Sequence, residues 1–203
     1  MRKLLPAVVL TSVLAASAPA RAQAPARHAF APSTTDFLLD GAPFQIKAGE
    51  MHPGRIPAEY WRHRIRMAKA MGLNSIAAYI FWNHHEESES KFDFTTGNRD
   101  IARFIRTAQE EGMWVLLRPG PYVCAEWDFG GLPPYLLRDP ELRIRSLYHR
   151  YMAAAERYVA RLADVVRPLL VTRGGPVLMV QIENEYGSYG NDRNYMKRLK
   201  DVW

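Results

Sequence analysis

The sequence predicts an α/β fold in which helices cover a parallel sheet. Three observations lead there. Short apolar runs alternate with longer stretches of helical spacing from residue 44 to residue 182. The runs are apolar on both faces, as strands buried on both sides are. The helical stretches start near Pro or Asp and stop at Gly, as helix ends do.

The first element in chain order is a targeting segment. Residues 1–22 read as a secretory signal peptide. Arg2 and Lys3 form a basic start, and Leu4 to Ala16 is mainly apolar and too short to span a bilayer comfortably. Ala20-Arg21-Ala22 offers small residues to a peptidase, so cleavage is expected before Gln23, or else after Ala24. An uncleaved anchor is the competing reading, and the short apolar stretch argues against it. The expected location is secreted or periplasmic, with no membrane contact after cleavage. Residues 23–35 read as a linker, rich in Ala and Pro between Gln23 and Ser33.

Phe37-Leu38-Leu39 and Pro43-Phe44-Gln45-Ile46 flank Asp40-Gly41, a hairpin signal. Phe44 to Ala48 is the first candidate strand of the main sheet. Pro57 to Met71 is a helix closed by Gly72, with Tyr60, Ile65, Ala68 and Met71 as its apolar stripe. Leu73 to Trp82 is the second strand. Asp100 reads as the cap of a helix over Ile101 to Glu111, ended by Gly112, with Ile101, Phe104, Ile105 and Ala108 at helical spacing. Met113 to Leu117 is the third strand, Leu147 to Leu170 a long helix, and Val177 to Ile182 the fourth strand. A doubly wound sheet and a (β/α) barrel both fit this order. No Gly-x-Gly-x-x-Gly follows a strand, which counts against a dinucleotide fold.

Composition bounds the function. Apolar residues at 48% and charged residues at 24% of 203 describe a globular core and exclude a disordered chain. The formal charge is +6, but Arg2, Lys3 and Arg21 fall in the first 22 residues, which carry no acid, so the remainder holds +3. That balance gives no argument for nucleic acid as a partner. Cys124 is the single cysteine, so neither an intrachain disulfide nor a cysteine-based metal site can form.

In parallel sheets, ligands gather at the carboxyl ends of the strands. Here those ends read Gly49-Glu50-Met51-His52, then Tyr79 through Glu86, then Arg118 through Trp127, then Gln181 through Gly187. All are rich in carboxylates, aromatics, amides or His. Aromatic faces stack on sugar rings, carboxylates and amides bind hydroxyls, and a partly desolvated carboxyl can donate a proton near neutral pH. Glycoside hydrolysis needs two carboxyl groups, one of them such an acid. Bland readings stand beside these. Glu183 and Glu185 could be surface or ion-pair residues that share one strand face. His84, His85 and Glu86 are candidate metal ligands, but no complete zinc-like set is visible. His52 reads as a hydrogen-bonded structural residue. Cys124 has no His placed beside it for a nucleophile role. Trp82 and Trp127 are either core residues or sugar platforms.

Three blocks carry a resemblance. Gly174 to Tyr189, with Gln181-Ile182-Glu183-Asn184-Glu185-Tyr186-Gly187 at its centre, closely resembles the signature of glycoside hydrolase family 35, the β-galactosidases. Arg118 to Trp127 followed by Gly130-Gly131-Leu132-Pro133 is similar to a second block of that family, and Tyr79 with Trp82 to Glu86 to a third. The resemblance implies a (β/α)8 TIM barrel and a retaining enzyme that removes terminal β-D-galactose without metal or cofactor. It implies Glu185 as acid/base, Asn184 on the sugar's 2-hydroxyl, Glu183 as a supporting residue, and Tyr79, Cys124, Ala125 and Glu126 lining the galactose pocket. Glu50-Met51-His52-Pro53-Gly54-Arg55 departs from the family's Ser-Ile-His-Tyr pattern, which touches fine specificity more than fold. An exo-β-glucosaminidase and a non-catalytic sugar-binding module are the competing functions.

Two expectations follow. Adjacent strand residues point to opposite faces, so Asn184 and Glu185 reach one sugar only where the strand is irregular. The family takes its nucleophile from the seventh strand, whereas Trp203 lies just past the fourth. Residues 36–203 are therefore expected to hold the first half of a barrel that typically needs about 250 residues. The nucleophile is expected beyond the chain end, and the isolated chain to be marginally stable and inactive. A truncated gene model is the expected cause, ahead of a fragment of something longer.

Overall fold

Asp-Gly accepts left-handed backbone at both positions, and the chain uses it so in a computed structural model that describes residues 26–203. Asp40 has φ 53° and Gly41 φ 81°, which turns β2 (Phe37–Leu39) into β3 (Ala42–Pro43) with Leu39 opposite Ala42. The expected hairpin is there, with a shorter second strand. A strand not foreseen, β1 (Phe30–Pro32), pairs with β2 from within the stretch read as linker. The signal-peptide reading falls outside the described residues.

The larger sheet is parallel and runs β4 (Ala48–Met51), β5 (Ser75–Tyr79), β6 (Trp114–Arg118), β7 (Val177–Val180) in that spatial order. Each strand neighbours the next in sequence. A doubly wound sheet reverses direction at a switch point, whereas a barrel adds strands one way round. The order therefore decides for an arc of a barrel. Alternation within it is clear in β6, where Val115 and Leu117 are fully buried against helices while Trp114, Leu116 and Arg118 face the other side half-buried.

Between β4 and β5 runs α1 (Trp61–Ala70), entered by a 3-10 turn at Ala58–Tyr60. Its buried stripe is Trp61, Ile65 and Ala68. Tyr60 and Met71, expected in that stripe, are exposed, because the helix starts one residue after Tyr60 and ends at Ala70. Gly72 then turns the chain with φ 88°. The expected second strand stops at Tyr79, and Trp82–His85 forms a single helical turn, α2. Next, α3 (Ile101–Glu110) is capped by the Asp100 carboxylate, which accepts from Arg103 N at 2.9 Å. Its buried face holds Ile101, Phe104, Ile105 and Ala108, as their spacing predicts.

The long helix is α4 (His149–Val166), shorter at both ends than expected. Pro168 has no N–H to continue it, so the chain passes into a 3-10 turn at Arg167–Leu169. The helices line one side of the arc, α1 against α3 and α3 against α4. After β7 come a helical turn, α5 (Tyr186–Tyr189), and α6 (Arg193–Val202). Asp192 caps α6 by accepting from Asn194 N and Tyr195 N, and Tyr195 and Leu199 are its buried residues. The first strand is also displaced, to Ala48–Met51 from the expected Phe44 to Ala48. Lys47 N bonds Asn74 Oδ1 at 2.9 Å and Asn74 Nδ2 bonds Gln45 O at 2.8 Å, which fixes Gln45 to Lys47 as connection.

The segments flanking the three-stranded ribbon meet the amino end of β6. His28 meets the Trp114 ring edge-on at 5.4 Å, and Phe44 meets it at 6.4 Å. The opposite, carboxyl ends stay clear for polar groups.

Gly175 marks the tightest backbone contact, since a Cβ there would sit 1.9 Å from the Leu169 carbonyl oxygen. Gly175→Ala is expected to destabilise the protein by about 3 kcal/mol in urea denaturation. Gly187→Ala, with nothing within 4 Å of the new methyl, is the control and should leave the midpoint nearly unchanged.

Candidate active site

One residue from each parallel strand end contributes to a polar layer: His52 just after β4, Tyr79 ending β5, Arg118 ending β6, and Gln181 just after β7. The Arg118 guanidinium lies 4.0 Å from the Tyr79 ring centre. Its Nε donates to Gln181 Oε1 at 2.7 Å, one terminal nitrogen to Glu50 Oε2 at 3.2 Å, and the other to Asn184 Oδ1 at 3.0 Å. His52 sits edge-on to Tyr79 at 4.9 Å and bonds Glu50 Oε1 at 2.6 Å and Arg55 at 2.7 Å. Burial pushes the Tyr79 hydroxyl up, and the Arg118 charge offsets part of this. It stays a neutral phenol.

The loop after β6 is strained. Cys124, Ala125 and Glu126 all have positive φ, at 58°, 52° and 45°. Left-handed backbone is unfavourable by roughly 1–2 kcal/mol for each L-residue. The turn is closed by Trp127 N donating to Cys124 O at 3.0 Å and held from outside by Arg55, which donates to Glu126 O. None of the three amide N–H groups has a hydrogen-bond partner among the described residues. Such clusters of strain are found where a site demands a shape.

The same holds after β7. Glu183 and Glu185 have φ of 63° and 49°, on either side of Asn184. Regular strand geometry has ended at Val180, so the alternation that would send Asn184 and Glu185 to opposite faces no longer applies. The irregularity is anchored by Glu183, only 1% exposed. Its Oε2 accepts from Arg145 Nε at 3.1 Å, Arg145 Nη2 at 2.7 Å and Asn184 N at 3.0 Å, while Oε1 accepts from Tyr195 OH at 2.6 Å. Arg145 is itself 4% exposed, left-handed at φ 52°, and lies 4.1 Å from the Tyr122 ring centre and 4.4 Å from that of Tyr189. Burial, with Tyr151 and Glu183 alongside, pushes the Tyr195 hydroxyl far up, so it stays a neutral phenol that donates to Glu183 and accepts from Tyr151 OH at 3.2 Å. Both oxygens of Glu183 are occupied and its charge is met by Arg145. It is committed to holding the segment and turned away from solvent. Glu185 differs in each respect: it is exposed at the entry to α5 and its carboxylate has no partner among the described residues.

The structure thus joins Tyr79, the Glu126 carbonyl and Asn184 through Arg118, Glu50, His52 and Arg55. Cys124 and Ala125 come with Glu126 as one turn, and Glu185 adjoins Asn184 outside the bonded network. Sequence reasoning missed Arg145, which sits in a loop with no motif around it. It quoted Arg118 at a strand end without a role, although a buried-side Arg ending an apolar strand is itself a signal. Trp82 is core: fully buried, stacked on Tyr158 at 5.0 Å, and donating to Glu86. Trp127 stacks on Phe81 at 3.9 Å and donates to Asn83 Oδ1 at 2.7 Å. His85 and Glu86 are both buried; His85 donates to Asp93 O, and Glu86 accepts from Trp82, Tyr135 and Ser90. Burial pushes His85 down to about 4, which keeps it neutral.

Carboxylates, amides and aromatic rings at the carboxyl ends of barrel strands define the class: a barrel protein with an acid-bearing polar layer where barrel sites are built. The sequence model described as glycosyl hydrolases family 35 matches residues 36–203. The chain belongs to this family. It is 45% identical over 188 residues to a β-galactosidase of Xanthomonas manihotis, covering 92% of this chain and 31% of that one. It is 48% identical over 165 residues to the β-galactosidase-1-like protein 2 of Homo sapiens, covering 81% of this chain and 26% of that one. The chain thus spans under a third of the length of these relatives. Among solved structures, the exo-β-1,4-mannosidase Op5Man5 of an Opitutaceae bacterium superposes with a TM-score of 0.61 at 16% identity, over 80% of this chain and 30% of that one. That likeness supports the barrel fold.

Removing one partner of a buried ion pair leaves the other charge stranded. Arg145→Met is expected to destabilise the protein by about 3–5 kcal/mol in denaturant titration. Adding Glu183→Gln should recover part of that loss. An unchanged single variant would remove the pair from its anchoring role.

Proposed function

We propose that the protein is a secreted or periplasmic retaining β-galactosidase in which Glu185 is the acid/base. The observation that carries this is the contrast between two neighbouring carboxylates. Glu183 is buried and fully bonded, whereas Glu185 is exposed beside Asn184 with no partner among the described residues. Membership of the family and the relatives named β-galactosidase support the substrate. Residues 1–22 serve as the export signal and residues 36–203 as the first half of the catalytic barrel. Among the described residues no helix is long and apolar enough to cross a membrane.

The substrate is a terminal β-galactoside. Tyr79, the Cys124-Ala125-Glu126 turn and Asn184 bind the galactose, Asn184 through the 2-hydroxyl. A carboxylate from outside these 203 residues, about 5–5.5 Å from Glu185, attacks the anomeric carbon while Glu185 protonates the departing oxygen. Glu185 then takes a proton from water, which cleaves the glycosyl-enzyme with net retention. The negative charge of Glu50 at the strand ends is a feature that favours an amino sugar, as is that of Glu126 and Glu185. Arg118 and His52 already engage the two oxygens of Glu50, and with the relatives named β-galactosidase this makes galactose the better reading.

In the full-length enzyme, Glu185→Gln is expected to lower turnover of substrates with poor leaving groups by about 100- to 10,000-fold. Azide should restore activity on activated nitrophenyl galactosides. Near-normal turnover would take the role from Glu185, and faster cleavage of the nitrophenyl glucosaminide would change the sugar. Separately, the 203-residue chain alone is expected to show no turnover of nitrophenyl galactoside, and clear activity would overturn the external nucleophile.

A further inference from the structure

An arginine can only donate hydrogen bonds, and this fixes the direction of every bond in the polar layer. Arg55 donates both to Glu126 O and to His52 Nδ1. His52 Nδ1 is therefore an acceptor, and Nε2 carries the hydrogen that Glu50 Oε1 receives. Glu50 Oε2 accepts from Arg118, whose other terminal nitrogen donates to the Asn184 side chain. The atom of Asn184 facing Arg118 must be the carbonyl oxygen. Gln181 Nε2 donates to the same oxygen at 3.2 Å, which fills its second lone pair.

The amide NH2 of Asn184 is left over. It has no partner among the described residues, yet the one buried side-chain nitrogen or oxygen without a partner there is Arg157 Nε. With the residue as a whole only 5% exposed, the NH2 must be the part that reaches open space. It is a donor held out of the protein by the bonds on its opposite end.

We propose that Arg118, steadied by Glu50, is a positioning residue that locks the Asn184 amide with its NH2 toward the ligand. Without Arg118, only the longer bond from Gln181 would choose between the donor and acceptor faces of Asn184, which differ little in shape. The lock selects a ligand group that accepts, such as the oxygen of a ring hydroxyl. This rests on the functional reading above for the identity of the ligand, but not for the orientation itself. Glu50 holds the guanidinium from the β4 side, while Tyr79 supports its face.

The test uses the full-length enzyme and compares kcat/KM on a nitrophenyl β-galactoside with that on its 2-deoxy counterpart. Asn184→Ala is expected to reduce the preference for the 2-hydroxyl by about 10- to 100-fold, the worth of a strong hydrogen bond. Arg118→Met should reproduce that drop, and the double variant should lose less than about threefold more, as coupled residues do. Equal losses on both substrates, or a double variant that loses the product of the singles, would overturn the proposal. Glu50→Gln, at a half-exposed position, serves if Arg118→Met does not fold; it should lower the same preference, and an unchanged preference counts against the lock. A neutron diffraction structure of Arg118→Met, or of Glu50→Gln if that variant takes its place, locates the amide hydrogens and gives a readout independent of substrate. A rotated or doubly placed Asn184 amide is expected, and a wild-type orientation would overturn the proposal even in a protein that cleaves no galactoside.

Discussion

A carboxylate is taken out of water at a high desolvation penalty unless its charge and its lone pairs are met, and the geometry beyond β7 hangs on how Glu183 meets that condition. Arg145 supplies the charge, Tyr195 and the Asn184 amide supply further donors, and three tyrosine rings surround the guanidinium. Arg145 comes from the loop before α4 and Tyr195 from α6, so the segment after β7 is gripped from both sides in sequence. The grip lets Glu183 and Glu185 keep left-handed backbone that neither would choose alone. The pair contributes shape more than stability, because buried ion pairs commonly add little net energy over an apolar replacement.

A second constraint runs across the sheet. Arg118, at the end of β6, touches groups from the other three strand ends, so the polar layer is one bonded unit. Each member is placed by its own strand and checked by its neighbour. The strained turn at Cys124 to Glu126 is tied to this unit by the Arg55 bond to a backbone carbonyl and by Ala125, which packs against the cluster of Tyr79, Phe81 and Val123.

Much of the fold could be read from the sequence, for reasons that particular elements make plain. Asp100 and Gly112 bracket α3, and its apolar spacing left one solution. Asp40-Gly41 fixed a turn because few other pairs tolerate two positive φ angles. Strand ends were less legible. Ile76 to Trp82 is uniformly apolar, and nothing local says that pairing stops at Tyr79 while Trp82 turns inward to Tyr158. Tyr60 looked like part of the α1 stripe because periodicity does not report where a helix begins. The α6 helix went unread although Asp192 caps it and Tyr195 and Leu199 share its buried face. In the site, the spacing of Glu183 and Glu185 showed two acids on one strand but could not separate them. What separates them is Arg145, 38 residues away in sequence from Glu183 and visible only once the chain is folded.

The ribbon of β1, β2 and β3 has a consequence for how this molecule can change. Its flanking segments meet the strand starts, His28 and Phe44 against Trp114 and Gln45 on Asn74, while the polar layer hangs from the strand finishes. Foundation and workface are thus built from different residues at opposite poles. Drift in one need not disturb the other, so lineages could retune the ligand they accept while inheriting the same base intact.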